Sequence, residues 1–278
     1  MSVKIVTDSA ADLPPRLAEE LDITIIPIYI RFGDKVYRDG VDMAPDDFYS
    51  KLISSPVHPF TSAPSAGDFA QTYTEVARDT NQIVSIHITR RHSGTYDAAL
   101  LGREILKKAR CQIEIIDSQG VSMWQGLVTL AAARAAQAGC ELHEVVDAAN
   151  EAIMQMRALA LLDTVEYIIR GGRIGKAISR LESVLNLKAM LTLRKGELRP
   201  AGVVRTRGKG IERLYEFVRS AFPFGELAIV YSTTFEDAQK LADYTTSLFP
   251  NVVPEVVRLG SALGVHAGPG ALIIAIRL

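Results

Sequence analysis

Short apolar runs alternate with helix-like stretches along the first half of the chain. Val3–Thr7, Gln82–Ile88 and Gln112–Ile116 are runs of strand length, and each is followed by a polar loop. Ser93–Lys108 and Met123–Ala138 repeat their apolar residues with a helical period. This alternation predicts an α/β domain with a mostly parallel sheet flanked by helices.

Between these elements lies a segment of mixed character. Ile23–Phe32 is rich in Ile and Tyr and predicts a strand, with Pro27 pushing part of it to a sheet edge. Pro45–Ile53 predicts a helix. Ser54–Ser65 is rich in Ser, Pro and Thr, a composition that predicts a loop.

The second half of the chain has a different pattern. Leu187–Leu193 and Leu198–Val204 have the composition of two strands joined at Lys195-Gly196, which predicts a β-hairpin. A helix is predicted before it at Ile178–Leu185. Near the end, Gly264–Gly270 is rich in glycine and predicts a loop ahead of the last strand.

The change of pattern places a domain boundary near residue 157. A chain of 278 residues is long enough for two domains of moderate size. We therefore predict an N-terminal α/β domain over residues 1–157 and a mixed α/β domain with a hairpin over residues 158–278.

Composition and charge exclude several classes of protein. Hydrophobic residues make up 48% of the chain, and 31 basic residues face 32 acidic ones, for a net charge of −1. Disorder needs lower hydrophobicity and a larger net charge, and a near-neutral chain has no bulk attraction for nucleic acid. No apolar run approaches the roughly 18 residues of a membrane helix, and no signal peptide is recognisable. We expect a cytoplasmic protein without stable membrane insertion, although transient membrane contact is compatible with the pattern.

The common catalytic motifs are incomplete in this sequence. Gly172–Ala177 lacks both the spacing and the hydroxyl of a Walker loop, and the loop after Val3–Thr7 lacks the glycines of a dinucleotide fingerprint. Ala63–Gly67 lacks the first glycine of a hydrolase nucleophile elbow. The five histidines do not pair at zinc spacing, and two cysteines alone cannot form a zinc site. We expect no metal and no cofactor.

Hydroxyl-rich loops are better candidates for ligand binding, because ligands bind at the carboxyl ends of parallel strands. Ser93-Gly94-Thr95 follows a predicted strand and opens a helix, where free N–H groups and hydroxyls suit a carboxylate or a phosphate. Thr61-Ser62 places a second pair of hydroxyls in a loop. For both segments, simple helix capping is the alternative interpretation.

A histidine and two aspartates have two interpretations each. His266 lies in a glycine-rich segment, where the backbone can approach a ligand closely, but a tight turn that happens to carry histidine has the same pattern. Asp8 and Asp117 end predicted strands, where catalytic carboxylates often lie. Both could instead cap the following loop through an Asx-type hydrogen bond.

Seven short motifs follow one another in an order found in a known family. They are Thr7–Pro14, Thr61–Ser65, Ser93–Tyr96, Asp117-Ser118, Arg170–Ile174, Leu185–Lys188 and His266–Gly270. With these motifs, the chain resembles the bacterial DegV family over essentially its whole length.

The resemblance implies two α/β domains with a long-chain fatty acid in the cleft between them. It further implies a carrier that is not itself an enzyme: the fatty-acid-binding subunit of the bacterial fatty acid kinase system. Such a subunit presents the carboxylate to a separate ATP-dependent kinase subunit. It then carries the acyl phosphate toward phospholipid synthesis.

The resemblance also assigns residues by motif. Those assigned to the fatty-acid carboxylate are Thr61, Ser62, Ser93 and His266. Those assigned to positions next to the ligand are Gly94, Thr95 and Gly268. Those assigned to the kinase or the phosphate are Arg173 and Arg205. The residues that depart from the family pattern nearby are Ala63, His92 and Ala267, and they leave the head-group donors intact.

Two other functions remain open from the residues alone. An enzyme could act on a small carboxylated or phosphorylated substrate, using Ser93, His266 and Asp8 in an α/β cleft. A regulatory or structural α/β protein is the third alternative, although it would have no need of the hydroxyl and glycine loops together.

Overall fold

The computed structural model describes residues 2–106, 111–173 and 187–278. The predicted helix Ile178–Leu185 and parts of two family motifs, Ile174 and Leu185-Asn186, lie outside these residues. Contacts between Cα atoms group the chain into two compact units. One consists of Met1–Tyr29 and Thr61–Gln155, and the other of Ile30–Phe60 and Met156–Leu278.

The first unit is built on a four-stranded parallel sheet with the order β2-β1-β6-β7. Its strands are β1 (Lys4–Asp8), β2 (Ile23–Ile26), β6 (Gln82–His87) and β7 (Gln112–Asp117). Its helices are α1 (Pro15–Glu20), α3 (Ala66–Val76), α4 (Thr95–Ile105), α5 (Met123–Gln137) and α6 (Leu142–Gln155).

Helices cover both faces of this sheet. Side chains of α3 and α4 pack with Val6 and Ile83 in one buried cluster. Gln125 of α5 donates to Oγ1 of Thr7, the residue next to Val6. Successive strand residues point to opposite faces, so α5 lies on the other face from α3 and α4. Every residue of α5 from Met123 to Leu130 is buried, so this half of the helix is enclosed on all sides.

The second unit contains a mixed six-stranded sheet with the order β10-β9-β8-β13-β11-β12. Its strands are β8 (Met156–Leu162), β9 (Lys188–Arg194), β10 (Glu197–Val204), β11 (Glu226–Tyr231), β12 (Glu255–Arg258) and β13 (Leu272–Arg277). Its helices are α2 (Pro45–Ser54), α7 (Glu166–Arg170), α8 (Arg207–Ala221), α9 (Phe235–Leu248) and α10 (Ser261–Ala267). The predicted hairpin is confirmed, because β9 and β10 pair antiparallel around Lys195-Gly196.

A small sheet with the order β4-β3-β5 completes the strands of the described residues. It consists of β3 (Tyr29–Phe32), β4 (Lys35–Arg38) and β5 (Phe60–Ser62). The single strand predicted at Ile23–Phe32 is wrong, since Pro27 lies in a break between β2 and β3. The loop predicted at Ser54–Ser65 is also wrong in part, because it contains β5.

The grouping of contacts changes between Gln155 and Met156, close to the boundary predicted at residue 157. It also places Ile30–Phe60 with the later residues, a grouping that no local pattern indicates. The reason is a buried cluster in which Phe32 and Phe48 pack with Val265 of α10. The domain ranges 1–157 and 158–278 stay a prediction.

The predicted fold class is confirmed: a parallel sheet flanked by helices in one part of the chain, and a mixed α/β arrangement with a hairpin in the other. Among the described residues, no helix combines the length and the apolar character that crossing a membrane requires.

Candidate functional site

Ser93 and Thr95 form a pair of hydroxyls at the start of α4. Their side-chain oxygens lie 2.8 Å apart, and Oγ of Ser93 also accepts a hydrogen bond from the backbone N–H of Thr95 at 3.3 Å. The helix begins at Thr95, with exposed Gly94 at its N-cap, two residues later than predicted. Thr95 is buried and Ser93 half-buried. When Thr95 donates to Ser93, the hydrogen of the Ser93 hydroxyl is available for a ligand oxygen.

Thr61 and Ser62 end β5 and lead toward α3. That helix is capped by Ser65, whose Oγ accepts from the backbone N–H of Asp68 at 3.1 Å. The carboxylate of Asp68 in turn accepts from the N–H of Ser65 at 2.7 Å, which completes a capping box. Helix capping therefore does not explain Thr61, which is half-buried, or Ser62, which is exposed.

The two strand-end aspartates are capping residues. Asp8 is fully buried, and Oδ1 accepts from the N–H of Ala10 at 3.0 Å. Its Oδ2 accepts from the N–H of Ile88 at 3.0 Å and lies 3.0 Å from Nδ1 of His87. Oδ1 of Asp117 accepts from the N–H of Gln119 at 2.9 Å, an Asx-type turn. Asp8 thus has no solvent-accessible carboxylate to offer a substrate.

His266 belongs to a helix. The loop predicted at Gly264–Gly270 is wrong in part, because α10 continues to Ala267 and the half-buried His266 lies in its last turn. Gly268 ends the helix with φ of 70°. A non-glycine residue is strained at this angle. A Cβ at Gly268 would also overlap the ring of Tyr167.

The two glycine motifs of the second unit meet at His266. A Cβ on Gly171 would overlap Nδ1 of the His266 imidazole, so the ring lies directly against the Gly171 backbone. Nη1 of Arg173, which is half-buried, donates to the carbonyl of Gly171 at 2.8 Å. Within the second unit, the structure therefore brings together two segments that were predicted separately: the one with His266 and Gly268, and the one with Arg173.

Aromatic rings extend these surroundings. The rings of His58 and Tyr167 lie 5.9 Å apart. Burial, and then the charge of Arg170, hold the pKa of His58 below its usual 6.5, while burial raises the pKa of Tyr167. Both groups are therefore uncharged at neutral pH.

Arg205 is exposed and lines a surface groove with Lys209 and Arg213. The arginine that contacts the glycine-rich segment is Arg207. Its Nη1 donates to the carbonyl of Gly270 at 2.7 Å and to Oδ1 of Asp163 at 2.9 Å, and its Nε donates to Asp237 at 2.7 Å. Sequence reasoning missed Arg207 because its side-chain partners lie at least 27 positions away, so no local pattern marks it.

Over residues 2–106, 111–173 and 187–278, no group of three or more His, Cys, Asp or Glu side chains is arranged to hold a metal ion. The donors at the predicted positions are hydroxyls, one imidazole and two guanidinium groups. Such a set suits an anionic organic group better than a metal.

Comparison with known proteins decides the family. The DegV family model, described as "Uncharacterised protein, DegV family", matches residues 2–277. The chain belongs to the DegV family. A DegV domain-containing protein from Streptomyces coelicolor is 34% identical over 275 residues, covering 97% of this chain and 96% of its own.

Two solved structures of DegV proteins match the whole chain. One, from Thermus thermophilus, is described as "Fatty Acid Binding of a DegV family Protein"; it is 28% identical, with a TM-score of 0.89 and full coverage of both chains. The other is described as "DegV, a fatty acid binding protein from Bacillus subtilis", at 26% identity, a TM-score of 0.90 and full coverage of both chains. The family membership predicted from the motifs is confirmed.

Proposed function

We propose that this DegV protein binds a long-chain fatty acid, and that Thr61, Ser62, Ser93 and His266 bind its carboxylate. The observation that carries the proposal is the match over the whole chain to DegV proteins from Thermus thermophilus and Bacillus subtilis, both described as binding fatty acids. The half-buried Ser93, whose hydroxyl hydrogen is available to a ligand when Thr95 donates to it, supports the assignment of the head group.

The chemistry of such a ligand fits the donors. Burying each methylene of the tail contributes about 0.8 kcal/mol, so about fourteen contribute roughly 11 kcal/mol before ordering costs. The carboxylate is costly to bury without partners. Each hydrogen bond to a charged group contributes about 1.5–3 kcal/mol, so hydroxyls and an imidazole can offset that cost.

Uncharged donors also leave the carboxylate reactive. A buried Arg or Lys would neutralise it and make it a poorer nucleophile, whereas hydroxyls hold it without a strong ion pair. In the proposed role, a separate kinase subunit supplies ATP. A carboxylate oxygen attacks the γ-phosphorus, the bond to the β-phosphate oxygen breaks, and ADP leaves. Arg173 and Arg205 are proposed to contact the kinase or the acyl phosphate, and this protein then carries the acyl phosphate toward phospholipid synthesis.

An enzyme acting on a small carboxylated or phosphorylated substrate is the alternative. It would use Ser93, His266 and Asp8, but Asp8 is fully buried with three N–H donors on its carboxylate. That geometry leaves the enzyme without its carboxylate and favours the carrier.

The assignment is tested by measuring palmitate affinity for Ser93→Ala beside Thr74→Ala. Thr74 is an exposed residue on α3 whose hydroxyl donates to the carbonyl of Ala70 in its own helix. We expect S93A to bind about tenfold more weakly, since a lost bond to a charged group is worth about 1.5 kcal/mol or more. T74A should match the wild type, and equal affinities for S93A and the wild type would contradict the assignment.

The partner is tested separately with ATP, palmitate and a bacterial fatty acid kinase subunit, trapping acyl phosphate with hydroxylamine. We expect product only when both proteins are present. Product from this protein alone would favour the enzyme, and no product with any kinase subunit would count against the partnership while leaving fatty acid binding intact.

A further inference from the structure

Four buried side chains of the first unit form one hydrogen-bonded chain. The hydroxyl of Tyr73 donates to Oγ of Ser85 at 2.8 Å, and that Oγ lies 2.7 Å from Nε2 of His87. Nδ1 of His87 lies 3.0 Å from Oδ2 of Asp8. All four residues have no exposed surface, so water does not interrupt this buried relay.

The relay follows from the strand pattern. Ser85 and His87 are two positions apart on β6 and therefore point to the same face of the sheet. Asp8 ends the neighbouring parallel strand, where Thr7 is paired with Ile86. Tyr73 reaches the relay from α3, and the ring of Phe69 on the same helix packs edge-on against the imidazole of His87, with the ring centroids 5.0 Å apart.

The chemistry of the groups fixes the direction of two bonds in the relay. Burial raises the pKa of Tyr73, so its hydroxyl stays protonated and donates to Ser85. A carboxylate can only accept, so the Nδ1–H of His87 donates to Oδ2 of Asp8. The imidazole thus holds the Asp8 carboxylate in one orientation.

Asp8 passes this orientation on to two loops. Its Oδ1 binds the N–H of Ala10, and its Oδ2 binds the N–H of Ile88, the first residue after β6. The chain continues from Ile88 into the turn in which the N–H of Ser93 donates to the carbonyl of Thr89 at 3.2 Å. The carboxylate therefore fixes the start of the segment that ends in the Ser93–Thr95 hydroxyl pair.

We propose that Asp8, held in place by the imidazole of His87, is a positioning residue that sets Ser93 for the fatty-acid carboxylate. This inference rests on the proposed function. Asp8 does not touch the ligand; it acts through the backbone of Ile88–Ser93. Ser85 and Tyr73 act only on the imidazole and reach neither loop directly.

The test compares Asp8→Asn with Ser85→Ala. Asparagine keeps the shape of aspartate, but its NH₂ group must face either the N–H of Ala10 or the N–H of Ile88, so one loop loses its acceptor. S85A removes the hydroxyl that lies between Tyr73 and His87, so both of these buried groups lose a hydrogen-bond partner and the variant is destabilised as well. The N–H groups of Ala10 and Ile88 keep their acceptors on Asp8. S85A therefore serves as a control that is destabilised without being mispositioned.

Thermal unfolding, palmitate affinity and amide hydrogen exchange are measured on both variants. At similar losses of stability, we expect D8N to bind palmitate about tenfold more weakly and S85A within about threefold of wild type, as one lost charged contact predicts. Exchange should accelerate in D8N, and not in S85A, at whichever of the two amides, Ala10 or Ile88, faces the new NH₂ group. If D8N does not fold, His87→Gln removes the imidazole donor to Asp8, and its affinity should fall below that of S85A.

Equal losses of affinity in D8N and S85A would overturn the positioning role, since the effect would then follow stability alone. Unchanged exchange at Ala10 and Ile88 in D8N would overturn it as well. A wild-type protein that binds no fatty acid would overturn the proposed function instead, and the exchange comparison would still decide whether Asp8 fixes the two loops.

Discussion

The Ser93 segment and the His266 segment are held in place by different physics. Around Ser93, polar contacts do the positioning: the carboxylate of Asp8 binds the N–H of Ile88, and Ser93 is bonded to Thr95. Around His266, close packing of rings against glycine backbone does the positioning. A Cβ at Gly171 would overlap the ring of His266, and a Cβ at Gly268 would overlap the ring of Tyr167. Removing a polar group should therefore disturb the Ser93 segment, and adding a methyl group should disturb the His266 segment.

The largest effect is expected from Gly268→Ala. The new methyl group would overlap the Tyr167 ring at a backbone angle that disfavours any side chain. Left-handed strain of about 1–2 kcal/mol and overpacking of about 1–3 kcal/mol together predict a loss of roughly 3 kcal/mol in unfolding free energy by urea titration. Gly208→Ala is the matched control, since its Cβ would meet nothing within 4 Å and its φ is not positive. If G268A lost no more unfolding free energy than G208A, steric packing would not be what holds the His266 segment in place.

Gly171→Ala separates contact from backbone strain. Its methyl group would displace the His266 imidazole without a strained φ, whereas Gly172→Ala is strained at φ of 67° but would meet no atom within 4 Å. We expect G171A to weaken palmitate binding about tenfold, the loss of one charged hydrogen bond. G172A should cost about 1 kcal/mol of stability with unchanged affinity. If palmitate titrations showed weaker binding in G172A and unchanged binding in G171A, His266 would not bind the ligand.

Ser65→Ala tests whether Thr61 and Ser62 are ligands or capping residues. Removing the Ser65 hydroxyl breaks the capping box of α3 and should cost about 1 kcal/mol of unfolding free energy. Ser62→Ala should leave the unfolding free energy unchanged and lower palmitate affinity. If S62A lost as much unfolding free energy as S65A, Ser62 would be a capping residue and its assignment as a ligand would be contradicted.

The smallest effect is a pH dependence at His58. Its pKa is lowered in the folded protein, so the unfolded chain binds more protons as the pH falls below about 6.5. Stability should therefore decline as the pH drops from 7 through 6.5 toward the folded pKa, and His58→Gln should flatten that decline. An unchanged slope in H58Q, from thermal melts at pH 5.5 to 7.5, would contradict burial as the cause.

Prediction from sequence succeeded where residues close together in the sequence determine the local structure. Strands β1, β6 and β7 were predicted to within one residue, because dense β-branched runs between polar loops leave little choice of structure. The hydroxyl pair at Ser93 was found for the same reason, since it lies at a strand-to-helix junction.

Prediction from sequence failed where contacts between residues far apart in the sequence determine the structure. Gly264 and Gly268 made the segment around His266 look like a loop, yet Val265 packs into a cluster with Phe48 and a helix forms. Arg207 went unnoticed because Asp163, Asp237 and Gly270 meet it only in the folded chain. The buried relay shares this cause, since Asp8 and His87 lie 79 positions apart.

Fatty acid binding itself is tested most directly by native mass spectrometry of the purified protein, followed by organic extraction and lipid analysis. We expect a stoichiometric adduct that extraction identifies as a fatty acid of about sixteen to eighteen carbons, which supply the roughly fourteen or more buried methylenes assumed for the tail. The adduct should be depleted in S93A and retained in T74A. A protein that carries no lipid and takes up none from added palmitate would contradict the proposed function.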